Sequence, residues 1–280
     1  MTKYCVYKTK KITLLAIIIA VCLALTSCSI IFNGNGDSNG SNNGDNSGSV
    51  DLSNGVITEG IIEANFTITL NCKRVSILDN VTAEIMSQGS GVAFDRVQRV
   101  SGGYTYYLLT NNHVIYKDTE SYNRFEYTVR DCYGVVYTAS VIAFDPNYDL
   151  AVVCFTAEKE YKVLSFATSN PKVEDSVVAI GQPTGIINAV TEGKIEKYMA
   201  VSLGEEKSNA NISNVTFNVI RHNAPLNQGS SGGALLDKDY KICGINYAAA
   251  VVDGSTEFVS GYAVPVLKVK EFLNDKLYNQ

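Results

Sequence analysis

The sequence predicts an all-β body, arranged as barrels or a sandwich and closed by a terminal helix. Three observations predict it. Short runs rich in β-branched and aromatic residues recur from Ile61 onward, bounded by turn signals such as Ser101-Gly102-Gly103 and Asp145-Pro146-Asn147. No long stretch of helical period separates them. Hydrophobic residues make up 46% of 280, with 17 tyrosines, which is enough chain for one or two domains with a large core.

The chain begins with a segment of a different kind. In residues 1–28, Lys3, Lys8, Lys10 and Lys11 precede an apolar run from Ile12 to Leu25. That run is shorter than the ~20 residues a membrane-spanning helix needs, so it reads as a targeting segment. Its end, Leu25-Thr26-Ser27-Cys28, resembles the lipobox of bacterial lipoproteins. The resemblance implies cleavage before Cys28 and a lipid on its sulfur, so that the N-terminus anchors the body at the outer face of the cell membrane. An uncleaved anchor is the alternative, and it too places the body outside the cytoplasm. Residues 29–60 follow as a tether. The stretch NGNGDSNGSNNGDNSGS (33–49) has no apolar side chain with which to offset its ordering entropy, and a chain of about 30 such residues has a root-mean-square span of roughly 30 Å.

The folded body is expected to divide into residues 61–165 and 166–280, with the junction in 156–175, near Pro171. In the first half the expected strands are Phe66–Leu70, Val75–Leu78, Gly91–Phe94, Tyr104–Thr110, Tyr127–Asp131, Val135–Phe144 and Leu150–Phe155. In the second they are Ser176–Gly181, Ala189–Thr191, Lys194–Ala200, Val215–Ile220, Ala234–Leu236, Cys243–Ala250 and Gly261–Val264. Val266, Val269, Leu273 and Leu277 then recur at three- and four-residue intervals, the stripe of a helix with one buried face. No internal repeat is visible.

Candidate chemistry concentrates in three places. Ser231 lies in Asn227-Gln228-Gly229-Ser230-Ser231-Gly232-Gly233-Ala234, a glycine-flanked turn ahead of an apolar strand. Glycine permits positive φ and close backbone approach, so such a turn can expose a hydroxyl beside converging N–H groups, as acyl transfer requires. The chain has only two histidines. His113 ends an apolar strand in Thr110-Asn111-Asn112-His113-Val114-Ile115, and Asp149 precedes another in Tyr148-Asp149-Leu150-Ala151-Val152-Val153. Each alone reads as an ordinary strand-end histidine, turn aspartate or polar loop. Together they supply a base, an orienting acid and a nucleophile.

His113, Asp149 and Ser231 in these contexts resemble the trypsin-like serine proteases of the HtrA/Deg type. The similarity continues through Gly89-Ser90-Gly91-Val92, Val177-Val178-Ala179-Ile180-Gly181-Gln182-Pro183, Val190-Thr191-Glu192-Gly193, Gly244-Ile245-Asn246 and Gly261-Tyr262-Ala263-Val264-Pro265, in family order over about residues 72 to 278. The resemblance implies two antiparallel Greek-key β-barrels with the site between them. It implies Ser231 as nucleophile, His113 as general base, Asp149 as its orienting partner, and the N–H groups of Gly229 and Ser231 as the oxyanion hole. Substrate binding is expected from Leu226, Asn227, Ile245, Asn246, Tyr247, Ala248 and Tyr262, with the backbone of Asn246–Ala248 pairing with an extended polypeptide. No aspartate stands where a pocket for basic residues would want one, so a shallow apolar pocket is expected. His222 is the competing clue for an acidic preference, although a histidine nine residues before the nucleophile more often caps a strand or faces solvent.

This sequence departs from the family pattern at Gln228, Ala234 and Asn223, where proline, proline and aspartate are common. Relatives of this type carry PDZ domains, and none is expected in the 15 residues after Pro265. The resemblance leaves monomer and trimer both open. A binding protein or holdase that uses the same cleft without turnover is the alternative function.

Composition excludes other classes. Without the four N-terminal lysines, 19 basic side chains face 28 acidic ones, so no nucleic-acid partner is expected. The Cys and His residues show no metal-ligand spacing and there is no phosphate-binding glycine loop, so no metal and no cofactor is expected. Beyond the N-terminal segment, Cys72, Cys132, Cys154 and Cys243 could form two disulfides or stay as buried thiols, the reading favoured here.

Overall fold

A computed structural model of the chain describes residues 50–52, 55–57, 59–182, 189–201, 212–251 and 258–279. The targeting segment, Cys28 and the Asn/Gly/Ser-rich stretch lie outside the described residues. Within the expected tether, Val50–Leu52 pairs with Gly55–Ile57, and a short helix α1, Glu59–Glu63, follows.

The first barrel is built from β1 (Asn65–Val75), β2 (Val81–Gln98), β3 (Tyr104–Thr110), β4 (Arg124–Arg130), β5 (Val136–Asp145) and β6 (Leu150–Ala157), with helix α2 (Asn112–Ile115) after β3. All neighbours are antiparallel, and the order β1-β2-β3-β6-β5-β4 closes on itself. The period of two along β1 explains its placement: Phe66, Ile68, Leu70 and Cys72 all point inward. Phe66 and Tyr106 each lie about 5 Å from Phe155, centroid to centroid, and Tyr161 meets Tyr106 edge-on at 5.4 Å. The buried Tyr161 hydroxyl donates to Asp131 at 2.5 Å, which satisfies the polar end of an otherwise apolar core residue.

The second barrel uses β7 (Ser176–Gly181), β8 (Ala189–Met199), β9 (Val219–His222), β10 (Ala234–Leu236), β11 (Ile242–Val251) and β12 (Phe258–Pro265). Its order, β7-β8-β9-β12-β11-β10, repeats that of the first barrel, although the two halves share no visible sequence repeat. Its interior is aliphatic, with Val177, Ile195, Ile220, Leu235 and Ala263 among the buried residues. Pro265 leads directly into α3 (Val266–Leu273), which buries Val266, Val269, Phe272 and Leu273 and runs on into one π-helical turn, Asn274–Tyr278. A third apolar cluster joins the barrels. Val92, Leu109 and Val152 of the first meet Ile180, Ala234 and Ile245 of the second, with Phe272 of α3. Each of these valine, leucine, isoleucine and phenylalanine side chains removed from water contributes about 1.5–3 kcal/mol.

Three sequence expectations are corrected. Ala189–Thr191 and Lys194–Ala200 are one strand, β8, because Glu192 and Gly193 between them keep pairing, with Val178 and Val177 of β7. Val75–Leu78 is not a strand: β1 ends at Val75, and a turn closed by Ser76 N–H to the Asn80 carbonyl at 2.9 Å leaves Ile77 and Leu78 exposed. Asp79 supplies the positive φ, +61°, that this turn needs. The strand expected at Val215–Ile220 starts only at Val219, where pairing to β8 begins. Among the described residues all four cysteines are free thiols, and no helix is long and apolar enough to cross a membrane.

Candidate active site

His113 and Asp149 come from the first barrel. His113 sits on α2, immediately beyond β3, and Asp149 ends the turn between β5 and β6. The carboxylate is fully buried and uses both oxygens on one partner. Its Oδ1 accepts the His113 backbone N–H at 2.9 Å, and its Oδ2 lies 2.7 Å from Nδ1 of the same residue. A carboxylate at Nδ1 favours the tautomer that carries its proton there, leaving Nε2 with a lone pair facing out. The His113 side chain keeps 27% exposure.

The aspartate turn is pinned from several directions. Asp149 holds φ at +48°, its N–H donates to Pro146 O, and Asn111 Nδ2 donates to its carbonyl at 2.9 Å. Tyr148 donates to Glu271 at the end of α3 at 2.8 Å, and Lys276 pairs with Asp145 at 3.0 Å. From the other side, Asn214 N–H donates to Pro146 O at 2.7 Å.

Ser231 comes from the second barrel, on the turn ahead of β10. Ser230 N–H donates to the Asn227 carbonyl at 2.9 Å, and Gly229 holds φ at +93°; together these are the marks of a type II turn with glycine at its third position. The two adjacent serines differ in use. Ser230 is buried and its Oγ accepts the Asn227 N–H at 3.1 Å, which closes the same turn from inside. Ser231 is half-buried, and its hydroxyl has no bonding partner among the described residues. The N–H groups of Gly229 and Ser231 likewise have no intramolecular acceptor among those residues.

The glycines around Ser231 are required by contact. A β-carbon on Gly232, whose φ is +85°, would lie 2.1 Å from the Ser90 carbonyl, and one on Gly233 would lie 2.3 Å from the Ile180 carbonyl. The serine turn is thereby pressed against β2. There Ser90 N–H donates to the Ser231 carbonyl at 2.7 Å. Gly89 is the meeting point of the two halves, because a β-carbon there would strike both Val114, next to His113, and the Ser231 carbonyl. Ser231 Oγ and the His113 ring are not joined by a hydrogen bond among the described residues. In substrate-free hydrolases that bond is often long and tightens only once substrate is bound.

The expected substrate-binding residues divide by exposure. Asn227 is exposed and Ala248 and Tyr262 are half-buried, whereas Leu226, Ile245, Asn246 and Tyr247 are buried. Tyr247 packs between the barrels, and its phenol is pushed up to about 12 by burial, with a smaller push from the Asp149 carboxylate. The backbone near it is more available. β11 pairs with β10 only through Ile245, and beyond Asn246 that edge has no strand partner among the described residues.

His222 neither faces solvent nor caps. It is fully buried at the end of β9, its ring against the α-carbon of Gly261 and the Leu226 side chain. Neither ring nitrogen makes a well-formed hydrogen bond, and burial pushes the imidazole down to about 4, opposed weakly by the nearby Asn246 side chain and Ala224 backbone. Asn223 is less of a departure than its residue type suggests. Its side-chain carbonyl accepts the Lys194 N–H at 2.7 Å, which asks only for an acceptor oxygen.

Two groups that sequence reasoning left without a role also meet the serine turn, Ser90 and Thr110, and Gln182 reaches it through the Ser90 hydroxyl. Only the glycines flanking Ser90 hinted at a close approach. No group of His, Cys, Asp and Glu among the described residues could hold a metal ion.

Residues 89–245 match the trypsin-like peptidase domain. The chain belongs to the trypsin-like peptidase family. Within it, the chain is similar to a probable periplasmic serine endoprotease DegP-like from Chlamydia trachomatis, with 33% identity over 171 residues, 60% of this chain and 31% of that protein. It is 32% identical to the periplasmic serine endoprotease DegP of Salmonella typhimurium over 188 residues, covering 67% and 35%. It is also 32% identical to the serine protease Do-like HtrA of Bacillus subtilis over 197 residues, covering 68% and 39%. The chain thus spans about a third of the length of these relatives. The family match and the paired six-stranded barrels agree on a trypsin-like fold of HtrA type.

Proposed function

We propose that this chain is a serine endopeptidase that hydrolyses peptide bonds in exposed or unfolded polypeptides, with Ser231 as nucleophile, His113 as base and Asp149 as orienting acid. The observation that carries the reading is the buried Asp149 carboxylate spent entirely on His113, backbone and ring. Substrate pairs with the open edge of β11 beyond Asn246, as an added strand that brings the scissile carbonyl to Ser231. His113 Nε2 takes the Ser231 proton as Oγ attacks, and the tetrahedral oxyanion is received by the N–H groups of Gly229 and Ser231. His113 then returns the proton to the leaving amine, which departs and leaves an acyl-enzyme. Water, activated by the same imidazole, releases the acid product.

A fluorophosphonate probe tests this directly. Folded wild type should label and Ser231→Ala should not, while Ser230→Ala should still label because Ser230 Oγ serves the turn. Absence of labelling in folded wild type would leave the binding-protein reading, which the missing Ser231–His113 hydrogen bond favours. For location, the lipobox-like Leu25-Thr26-Ser27-Cys28 and the periplasmic relatives support a protein held outside the cytoplasm by lipid on Cys28. Cys28→Ala should move the protein out of the membrane fraction; if it stays there, lipid on Cys28 is not the anchor.

A further inference from the structure

The Ser90 side chain belongs to the first barrel but spends its hydrogen bonds on the second. Its Oγ donates to the Gly229 carbonyl at 2.6 Å and accepts the Gln182 N–H at 2.8 Å. Its N–H donates to the Ser231 carbonyl at 2.7 Å, and its own carbonyl is fixed by the Thr110 hydroxyl at 2.7 Å. The residue is fully buried, and Gly181 leaves it room: a β-carbon there would lie 2.9 Å from Ser90 Oγ.

We propose that Ser90 is a positioning residue for the oxyanion-binding turn, a role that rests on the peptidase reading above. The argument follows from peptide planarity. Ser90 Oγ fixes the plane that carries the Gly229 carbonyl and the Ser230 N–H, and Ser90 N–H fixes the plane that carries the Ser231 carbonyl. Among the described residues, the one plane in the turn left without a bond of its own is Gln228–Gly229, whose N–H is the proposed oxyanion donor. Glycine places little barrier of its own against rotation there. Pinning the next plane holds the Gly229 α-carbon and the turn around it in one place, so that the Gly229 N–H keeps its position beside the Ser231 N–H. Without the Ser90 hydroxyl, the Gly229 carbonyl and the Gln182 N–H both lose their buried partner. The turn can then shift to give those groups new partners, and the Gly229 N–H moves off the point where it and the Ser231 N–H converge.

Ser90→Ala should therefore lower kcat on a peptide substrate by about 10- to 100-fold, approaching the loss of one oxyanion donor, with KM within about threefold. The rate of fluorophosphonate labelling should fall alongside kcat. Thr67→Val is the control. Thr67 is as buried, and its hydroxyl donates to the Gln182 side chain at 2.8 Å, one step away from the turn. That variant should lose thermal stability and keep kcat. Unchanged kcat in Ser90→Ala, or equal losses of kcat in the two variants, would overturn the assignment. Should Ser90→Ala not fold, Ser90→Cys keeps the shape with a weaker donor and should show reduced kcat at near-native melting temperature; full kcat there counts against the proposal. If wild type itself does not label, the peptidase reading fails and Ser90 has no turn to position.

Discussion

In the first barrel six strands close around stacked rings, Phe66, Tyr106, Phe155 and Tyr161, whereas the second, with the same strand order, closes around aliphatic side chains and one buried imidazole. The contrast extends to the cleft. What the first barrel brings there is already bonded: Asp149 to His113, Asn111 to Asp149, Thr110 to Ser90. What the second brings is left open among the described residues: the N–H groups of Gly229 and Ser231, the Ser231 hydroxyl, and the edge of β11. Shared topology thus does not give shared roles. One barrel is a fixed frame, and the other carries the groups proposed to meet substrate and depends on the frame to hold them.

The largest effect should come from breaking the frame's own bond. Asp149→Asn preserves shape but reverses the hydrogen-bond preference at His113 Nδ1, so that Nε2 carries the proton and cannot act as base. Activity should fall by about 10,000-fold, near 5 kcal/mol of transition-state stabilisation, with the fold intact by circular dichroism. A loss under about tenfold would mean that the carboxylate is structural only.

Stability should divide between the barrels in the same sense. Phe66→Ala removes a ring that meets both Phe155 and Tyr161 and should cost about 4 kcal/mol in urea unfolding. Ile220→Val, in the second barrel's interior, should cost about 1 kcal/mol. Equal costs would remove the distinction between a ring-packed frame and its partner.

Much of this was legible from residue types. The strand ends of Tyr104–Thr110, Ser176–Gly181 and Ala234–Leu236 coincide with turn signals and with changes of hydrophobic pattern, so local chemistry fixes them. The His113, Asp149 and Ser231 contexts were readable because each needs a strand end and a special turn. What escaped depends on long-range pairing. Ile77 and Leu78 look like strand residues, but β1 and β2 run out of register partners and must turn there. Tyr247 looks like a cleft residue and is instead part of the contact between barrels. Ser90 is separated from Gly229 by 139 residues, and nothing local announces that its hydroxyl crosses from one barrel to the other.

A smaller effect tests whether the open groups of the second barrel do the work proposed. Gly229→Ala places a side chain at φ +93°, where only glycine is comfortable, and should flip the turn toward the alternative with negative φ. The Gly229 N–H is then lost to the oxyanion, and kcat should fall by about 100-fold, or about 3 kcal/mol. KM should change little, because the strand-pairing edge of β11 is untouched. A rise in KM at constant kcat would place Gly229 in ground-state binding and not at the oxyanion.

An effect confined to low pH concerns His222, an imidazole that the second barrel buries without a well-formed partner among the described residues. Its imidazole is pushed from 6.5 down to about 4 by burial. Above pH 6.5 the ring is neutral in both folded and unfolded chain and contributes nothing to the pH dependence. Between 6.5 and 4 only the unfolded chain takes the proton, so stability falls as the pH drops through that window, by about 3 kcal/mol at most. His222→Leu removes this proton and keeps an apolar side chain against Gly261 and Leu226. Unfolding free energies of the two proteins, measured from pH 7 to 4, should diverge, with wild type losing stability faster. Parallel curves would mean that the ring is protonated in the fold, held by Asn246 or the Ala224 carbonyl, and that the second barrel's interior is less apolar than its packing implies.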